Sequence, residues 1–322
     1  MKFDDMRDKF KTELSLVDDV IINNLKSNVS LIDDIGKYIV CYGGKRVRPL
    51  MTILFSKIFD YSNDNIILMS GVMELIHTAT LLHDDVVDLS EKRRNKLSVN
   101  KVWGNKEAIL VGDFLYTRSF QMMVSTDNIN ILKLMAGTTN IMSEGEVNQL
   151  FHKRNFDIKE SDYFDIIKAK TAQLFSASAS VVPMLFNLDS DMFKAASDYG
   201  MHLGIAYQLI DDMLDYSSDD DIFGKNVGDD IFSGTFTLPL IYLMLNDKSK
   251  KNLIIDMITD GYSKKDLFKI REYIFDSGSL DYTFLLAKKH ADLAKKAISS
   301  IKSTEYTQMA LSLIDFIINR KY

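Results

Sequence analysis

Two stretches of the sequence, "DDVVD" at 84–88 and "DDMLD" at 211–215, repeat the order acid, acid, apolar, apolar, acid. Residues four apart share a face of an α-helix, so Asp84 with Asp88, and Asp211 with Asp215, each present two carboxylates one turn apart. Each run follows an apolar segment, "TATLLH" and "GIAYQLI". Repulsion and lost hydration make such pairs costly unless a cation lies between them. Oxygen donors of this kind suit Mg²⁺, which takes few protein ligands and bridges to the phosphate oxygens of a substrate. One such run reads as a solvated helix face; two copies favour a metal-dependent phosphate site.

Positive charge lies in the same neighbourhoods. Lys45, Arg46 and Arg48 follow the Gly43-Gly44 pair, Arg93 and Arg94 follow the first acidic run, Lys170 stands beside Thr171, and Lys225 comes after the second run. The Gly-Gly-Lys segment lacks the spacing of a phosphate-binding P-loop. Singly, each of these residues reads as a surface charge. Together they suggest two anion sites, one bridged to the aspartates by metal and one held directly by lysine and arginine. The adjoining apolar segments would line space for a hydrocarbon tail.

Helices must position these residues. Only three prolines occur, and apolar residues recur at helical spacing over 66–89, 107–124, 162–186 and 192–216, without sustained period-two alternation. The reading is all-α, a helical bundle with some helices apolar on most faces. Short polar loops are expected near 60–65, 152–160 and 217–234, and no Pro-, Ser- or Gly-rich linker divides the 322 residues, so 1–322 reads as a single domain. A net charge of −6 disfavours a nucleic-acid face. The one cysteine, Cys41, excludes an internal disulfide. The N-terminus is charged, and no run approaches the ~18 apolar residues of a membrane span, so a cytoplasmic protein is expected.

The segments "GGKRVRP", "ELIHTATLLHDDVVD", "VGDFLYTRSFQMM", "EGEVNQL", "KTAQLF", "YQLIDDMLDY" and "GKNVGDD" resemble, in order and over most of the chain, the motifs of the trans-type isoprenyl diphosphate synthases, most strongly the bacterial octaprenyl type. The resemblance implies a bundle around a deep central cavity, a homodimer, and Mg²⁺ held by Asp84, Asp88 and Asp211, with Asp85, Asp212 and Asp215 supporting. It assigns Arg93, Lys170, Thr171, Gln208 and Lys225 to the allylic diphosphate. Lys45, Arg48, His77 and Arg94 fall to isopentenyl diphosphate. Asp84, Asp88, Asp211 and Lys170 become the catalytic set for head-to-tail condensation, in which the allylic diphosphate departs, the double bond of isopentenyl diphosphate attacks and a proton is lost. Two departures are "RRNK" at 93–96, where the family has "RRG", and Thr235, where a second lysine often helps to hold the allylic diphosphate.

Chain length follows from the lining beneath Asp84. Thr80 lies one turn down the helix, ~6 Å away and ~40° round, and Ala79 flanks that line. Met123 and Met135 resemble the positions that form the floor in octaprenyl-type enzymes. The expected product is a long chain of that class for a quinone, delivered to the membrane. Rival readings are a shorter-chain synthase, a terpene cyclase of the same fold and a non-catalytic partner subunit. A cyclase usually replaces the second run with an Asn/Ser/Glu motif and has no use for Lys45, Arg48 and Arg94; partner subunits tend to lose acids, and all six are present here.

Overall fold

The computed structural model describes residues 3–41, 44–94, 96–217, 231, 233–259 and 263–320. Among these residues the fold is all-α apart from a two-stranded antiparallel hairpin, β1 (Lys92–Arg93) and β2 (Lys96–Leu97). Before the hairpin come α1 (Phe3–Lys9), α2 (Lys11–Leu25), α3 (Ser30–Cys41), α4 (Val47–Ile58) and α5 (Asp64–Val87). After it follow α6 (Val99–Val102), α7 (Asn105–Val124), α8 (Ile129–Phe151) and α9 (Glu160–Ile167), then one π-helical turn, Lys168–Ala172, and α10 (Gln173–Leu185). The helix α11 (Ser190–Ser217) carries the second acidic run. The chain closes with α12 (Leu238–Asn246), α13 (Lys248–Thr259), α14 (Lys264–Asp276), α15 (Ser279–Ser299) and α16 (Glu305–Ile318).

Local chemistry sets the boundaries of the helices that matter most. Asn63 caps α5 by accepting from the Ile66 amide at 3.2 Å, and Asn128 caps α8 through Asn130 at 3.0 Å. The hydroxyls of Ser70 and Thr78 inside α5 donate to the carbonyls of Ile66 and Glu74, so neither leaves an unmet polar group in the interior. By length and composition α5 could cross a membrane, contrary to the sequence expectation. An 18-residue window of it is strongly apolar, but 61% of that window is buried in the fold. Its apolar faces are spent on α2, α4, α7 and α10, as in the central helix of a bundle.

The buried apolar residues fall into two clusters. One gathers α2, α4, α5, α7, α8, α10 and α16; the other gathers α9, α12, α13, α14 and the C-terminal half of α11. The chain crosses between them at the π turn, which is squeezed from both sides. A Cβ on Gly204 of α11 would lie 2.6 Å from Ala172 Cα, and one on Gly145 of α8 would lie 2.7 Å from Ala169 Cβ and 3.0 Å from the Lys170 amide nitrogen. Glycine is thus required for the backbones to approach this closely. Alanine at 204 gains ~1 kcal/mol of helix propensity but must displace backbone, so Gly204→Ala is expected to lose a net ~1–3 kcal/mol of stability. Urea unfolding measures this, and an unchanged or higher midpoint would show that the α11 contact yields without cost.

Candidate active site

The first acidic run ends α5. Asp84 is partly buried, and burial, reinforced by Asp88, raises its pKa above the usual carboxylate range, with Lys170 opposing. Lys170 Nζ stands 3.5 Å from Asp84 Oδ2 and donates to Glu146 Oε2 of α8 at 2.8 Å. Burial works against its charge, but Asp84 and Glu146 outweigh that and hold the ammonium above its ordinary pKa. Glu146 itself is pushed up to about 7 by burial and by Asp84, and the Tyr116 phenol to about 12 by burial, Glu146 and Asp84. Asp88 is the residue immediately after α5, its amide still bonded to the Asp84 carbonyl at 2.8 Å, and its carboxylate accepts from Lys153 at 3.0 Å. Two lysines therefore neutralise the two carboxylates that spacing places on one face.

The middle acid of the run is used differently. Asp85 is 2% exposed and takes Arg93 side-on, with Nε at 3.0 and 2.9 Å from its two oxygens and Nη2 at 2.7 Å from Oδ1. A position one residue from Asp84 is turned ~100° away from it, so Asp85 faces the hairpin rather than the Asp84–Asp88 side. Arg93, assigned by resemblance to the allylic diphosphate, is thus oriented by a buried carboxylate.

The second run shows the same division. Asp212 is 4% exposed and accepts from Tyr163 Oη at 2.5 Å and Gln208 Nε2 at 2.7 Å. Gln208 Oε1 in turn accepts from the Thr171 hydroxyl at 2.8 Å. The adjacent Lys170 and Thr171 thereby tie α5 and α8 to α11, and the π turn is what sends consecutive residues to different helices. Such single turns recur at functional sites. Asp211 pairs with Arg320, which lies just after α16, has a side chain only 7% exposed, and stacks its guanidinium 4.5 Å above the Tyr207 ring.

Beside Asp84 lies a cluster of arginines around buried Glu74. Arg46 bonds Glu74 at 2.6 Å and pairs with Asp18 of α2 at 3.1 Å. Arg48 stacks over Phe175 at 4.6 Å, and among the described residues its buried Nε has no hydrogen-bond partner, which leaves a donor for an anion. Burial lowers the pKa values of Arg48 and Arg94. Burial also drives His77 well below its ordinary value, with Arg48 and Arg94 adding to it, so the ring is neutral near pH 7. Lys45 places its ammonium over Phe316 at 5.5 Å, and partial burial there, with Arg320 adding, lowers its pKa. Arg94 reaches back to Gly44, where a Cβ would lie 2.8 Å from its Nη1; Gly44 leaves room for an arginine. A cleft of about 620 Å³, counting its open mouth, runs between Arg46, Glu74, Asp85, Arg93 and Arg94 and the apolar side chains of Leu75, Leu82 and Leu115.

Of the lining residues, Ala79, Met123 and Met135 are fully buried in one apolar cluster, and half-buried Thr80 turns its hydroxyl back to the His77 carbonyl at 2.8 Å. Thr235 meets Gln149 at 3.4 Å and Ser233 at 3.1 Å. Lys225 lies outside the described residues, as does most of the 217–234 loop. Sequence reasoning missed Arg320, Glu146, Lys153 and Tyr163. No spacing rule links them to the acids they meet, although Glu146 sits inside the quoted "EGEVNQL". Among the described residues no three His, Cys, Asp or Glu side chains come together as a ready cation cage. Hard oxygen donors balanced by lysines fit Mg²⁺, which fills its remaining positions with water and substrate phosphate.

The arrangement has close counterparts. The chain is 38% identical to the octaprenyl diphosphate synthase of Haemophilus influenzae, over 100% of this chain and 98% of that protein. It is 39% identical to the octaprenyl diphosphate synthase of Escherichia coli, over 96% of each. A crystal structure of a polyprenyl synthase from Caulobacter crescentus, complexed with calcium and isoprenyl diphosphate, superposes with TM-score 0.95 at 35% identity, covering 100% of this chain and 98% of that one. Residues 29–274 match the polyprenyl synthetase family, and with carboxylate, lysine and arginine groups assembled as described, the chain belongs to that family.

Proposed function

We propose that this protein is a prenyltransferase that extends an allylic diphosphate, such as farnesyl diphosphate, by head-to-tail condensation with isopentenyl diphosphate to a long all-trans chain of the octaprenyl class, supplying a quinone side chain. The observation that carries the reading is the link made by Lys170 and Thr171, which connects Asp84 of α5 to the Gln208–Asp212 pair of α11. Ala79, five residues before Asp84 on α5, belongs to the buried apolar core.

In this reading Asp84, Asp88 and Asp211 hold Mg²⁺, whose charge eases departure of the diphosphate. Lys170, Thr171, Gln208, Arg93 and Lys225 bind the allylic diphosphate. Lys45, Arg48, Arg94 and neutral His77 hold isopentenyl diphosphate with its double bond turned toward the allylic carbon. The allylic C–O bond breaks with its electron pair leaving on the diphosphate. The double bond then supplies the pair for the new C–C bond, and a proton is lost to the released diphosphate. Fixed cations stabilise charge where it develops on the departing oxygens, and side-by-side binding removes the entropic cost of meeting. Incubation with isopentenyl diphosphate, farnesyl diphosphate and Mg²⁺, followed by chromatography of the lipids, should give long chains and none in excess EDTA. Asp84→Ala should cost roughly 10²-fold or more in kcat. Full turnover without divalent metal would refute the assignment of the acids.

Product length is proposed to follow the line from Asp84 through Thr80 and Ala79 toward Met123 and Met135. A ring at Thr80, one turn before Asp84 on nearly the same face of α5, would narrow that path. Thr80→Tyr is expected to stop synthesis after few additions with condensation intact. Wild-type product length from both Thr80→Tyr and Ala79→Tyr would place the tail elsewhere.

We further propose a cytoplasmic homodimer, its single domain spanning 1–322. On α7, Leu110, Phe120 and Val124 fall within ~80° of arc, and on α8, Ile129, Val147, Leu150 and Phe151 within ~100°. All seven are exposed, Phe151 by 80%. A shared apolar face of this kind needs a partner surface. Leu110→Glu combined with Val147→Glu should give monomers in analytical ultracentrifugation; a dimer of unchanged affinity would move the interface off these helices.

A further inference from the structure

Away from the diphosphate site, two imidazoles meet between long, closely packed helices. His202 of α11 and His290 of α15 face each other with Nδ1 to Nδ1 at 3.1 Å, ring centroids 5.2 Å apart and planes inclined by 49°. Phe164 of α9 stacks on His290 at 5.9 Å and covers one of its faces. Both histidines keep partial exposure, so small solutes can reach them. Burial lowers His202 below its ordinary pKa and pushes His290 down to about 4, with His202, Lys289 and Lys168 adding to the latter. Near pH 7 both rings are therefore neutral, the form that ligates metal.

In the neutral pair, one Nδ1–H is donated to the lone pair of the other ring. When the donor ring carries its proton on Nε2 instead, two lone pairs stand 3.1 Å apart and no proton is released to solvent. Metal–nitrogen bonds of ~2.0–2.1 Å would span that gap at an angle of about 98°, between a right angle and a tetrahedral one. The charged groups around the pair are largely neutralised: Lys194 by Asp198 at 2.6 Å and Lys168 by Asp165 at 3.5 Å, with Lys289 exposed. Asp198 also precedes His202 by one turn of α11 and acts on it electrostatically.

We propose that His202 and His290 form a two-histidine site for a borderline divalent transition-metal cation of the Zn²⁺ class, completed by water, independent of the aspartates and of the reading given for them. Imidazole nitrogen selects this class over Mg²⁺, which prefers oxygen. Occupied, the site would staple α11 to α15 two turns before Gln208 without touching the substrates.

The test uses full-length protein stripped of metal and kept in excess Mg²⁺, titrated with Co²⁺ and, separately, Zn²⁺. One equivalent of Co²⁺ should bind with the intense visible d–d bands of a low-coordinate nitrogen site. Zn²⁺ at a hundredfold excess over its Kd should raise Tm by roughly 4 °C, from the mass-action gain set against an unfolding entropy of ~2.1 cal/mol/K per residue. His202→Gln and His290→Gln, which retain a hydrogen-bonding side chain, should each lose both signals. Absence of either signal in the wild type would overturn the proposal. So would their persistence in both variants, since the cation would then reside on the aspartates.

Discussion

Burying Asp84 among apolar helices costs several kcal/mol unless positive charge is at hand. Lys170 supplies it at 3.5 Å while holding Glu146 at 2.8 Å. That ammonium is shared by carboxylates from two helices and is itself presented by a third segment, so the positions of α5, α8 and the π turn are mutually fixed. Gly145 and Gly204 exist to make this possible, because any side chain there would push the turn off one neighbour or the other. The hydrophobic packing of the two clusters is thereby arranged around a polar contact that contributes little stability by itself but fixes register.

The same constraint explains the paired acids. Asp84, Asp88 and Asp211 meet lysine or arginine, and the second acid of each run is buried and satisfied by neighbours: Asp85 by Arg93, Asp212 by Tyr163 and Gln208. Helix geometry separates the roles, since a one-residue step turns the side chain by ~100°. The two motifs are alike in chemistry because both solve one problem, which is to hold two carboxylates one turn apart on a helix whose other faces are packed.

Much of this was legible in the sequence. The apolar windows 66–89, 107–124 and 192–216 lie within two residues of α5, α7 and α11 at either end, because long helices with one buried stripe repeat their pattern many times. Asp84 and Asp88 were paired by spacing alone. The misses share a cause. Arg320 meets Asp211, and Lys153 meets Asp88, across long chain separations that no periodicity encodes. The π turn depends on glycines in two other helices. The hairpin at 92–97 is too short to alternate. The hydropathy of α5, read as below membrane length, is that of a span, and only its neighbours determine that it is a core helix.

Arg46 and Arg94 both adopt left-handed backbone, at φ 50° and 51°. Non-glycine residues there cost of order 1 kcal/mol or more, and such strain persists only where surroundings over-determine it. Arg46 is held by Asp18 and Glu74, contacts that reach α2 and α5 from the N-cap of α4. Glu74 also exerts a stabilising field on Arg48 and Arg94. One buried carboxylate thus gathers three guanidinium groups, two from the start of α4 and one from the hairpin turn. It cannot neutralise them all, and the surplus positive charge, concentrated beside neutral His77, is what a diphosphate would meet on arrival.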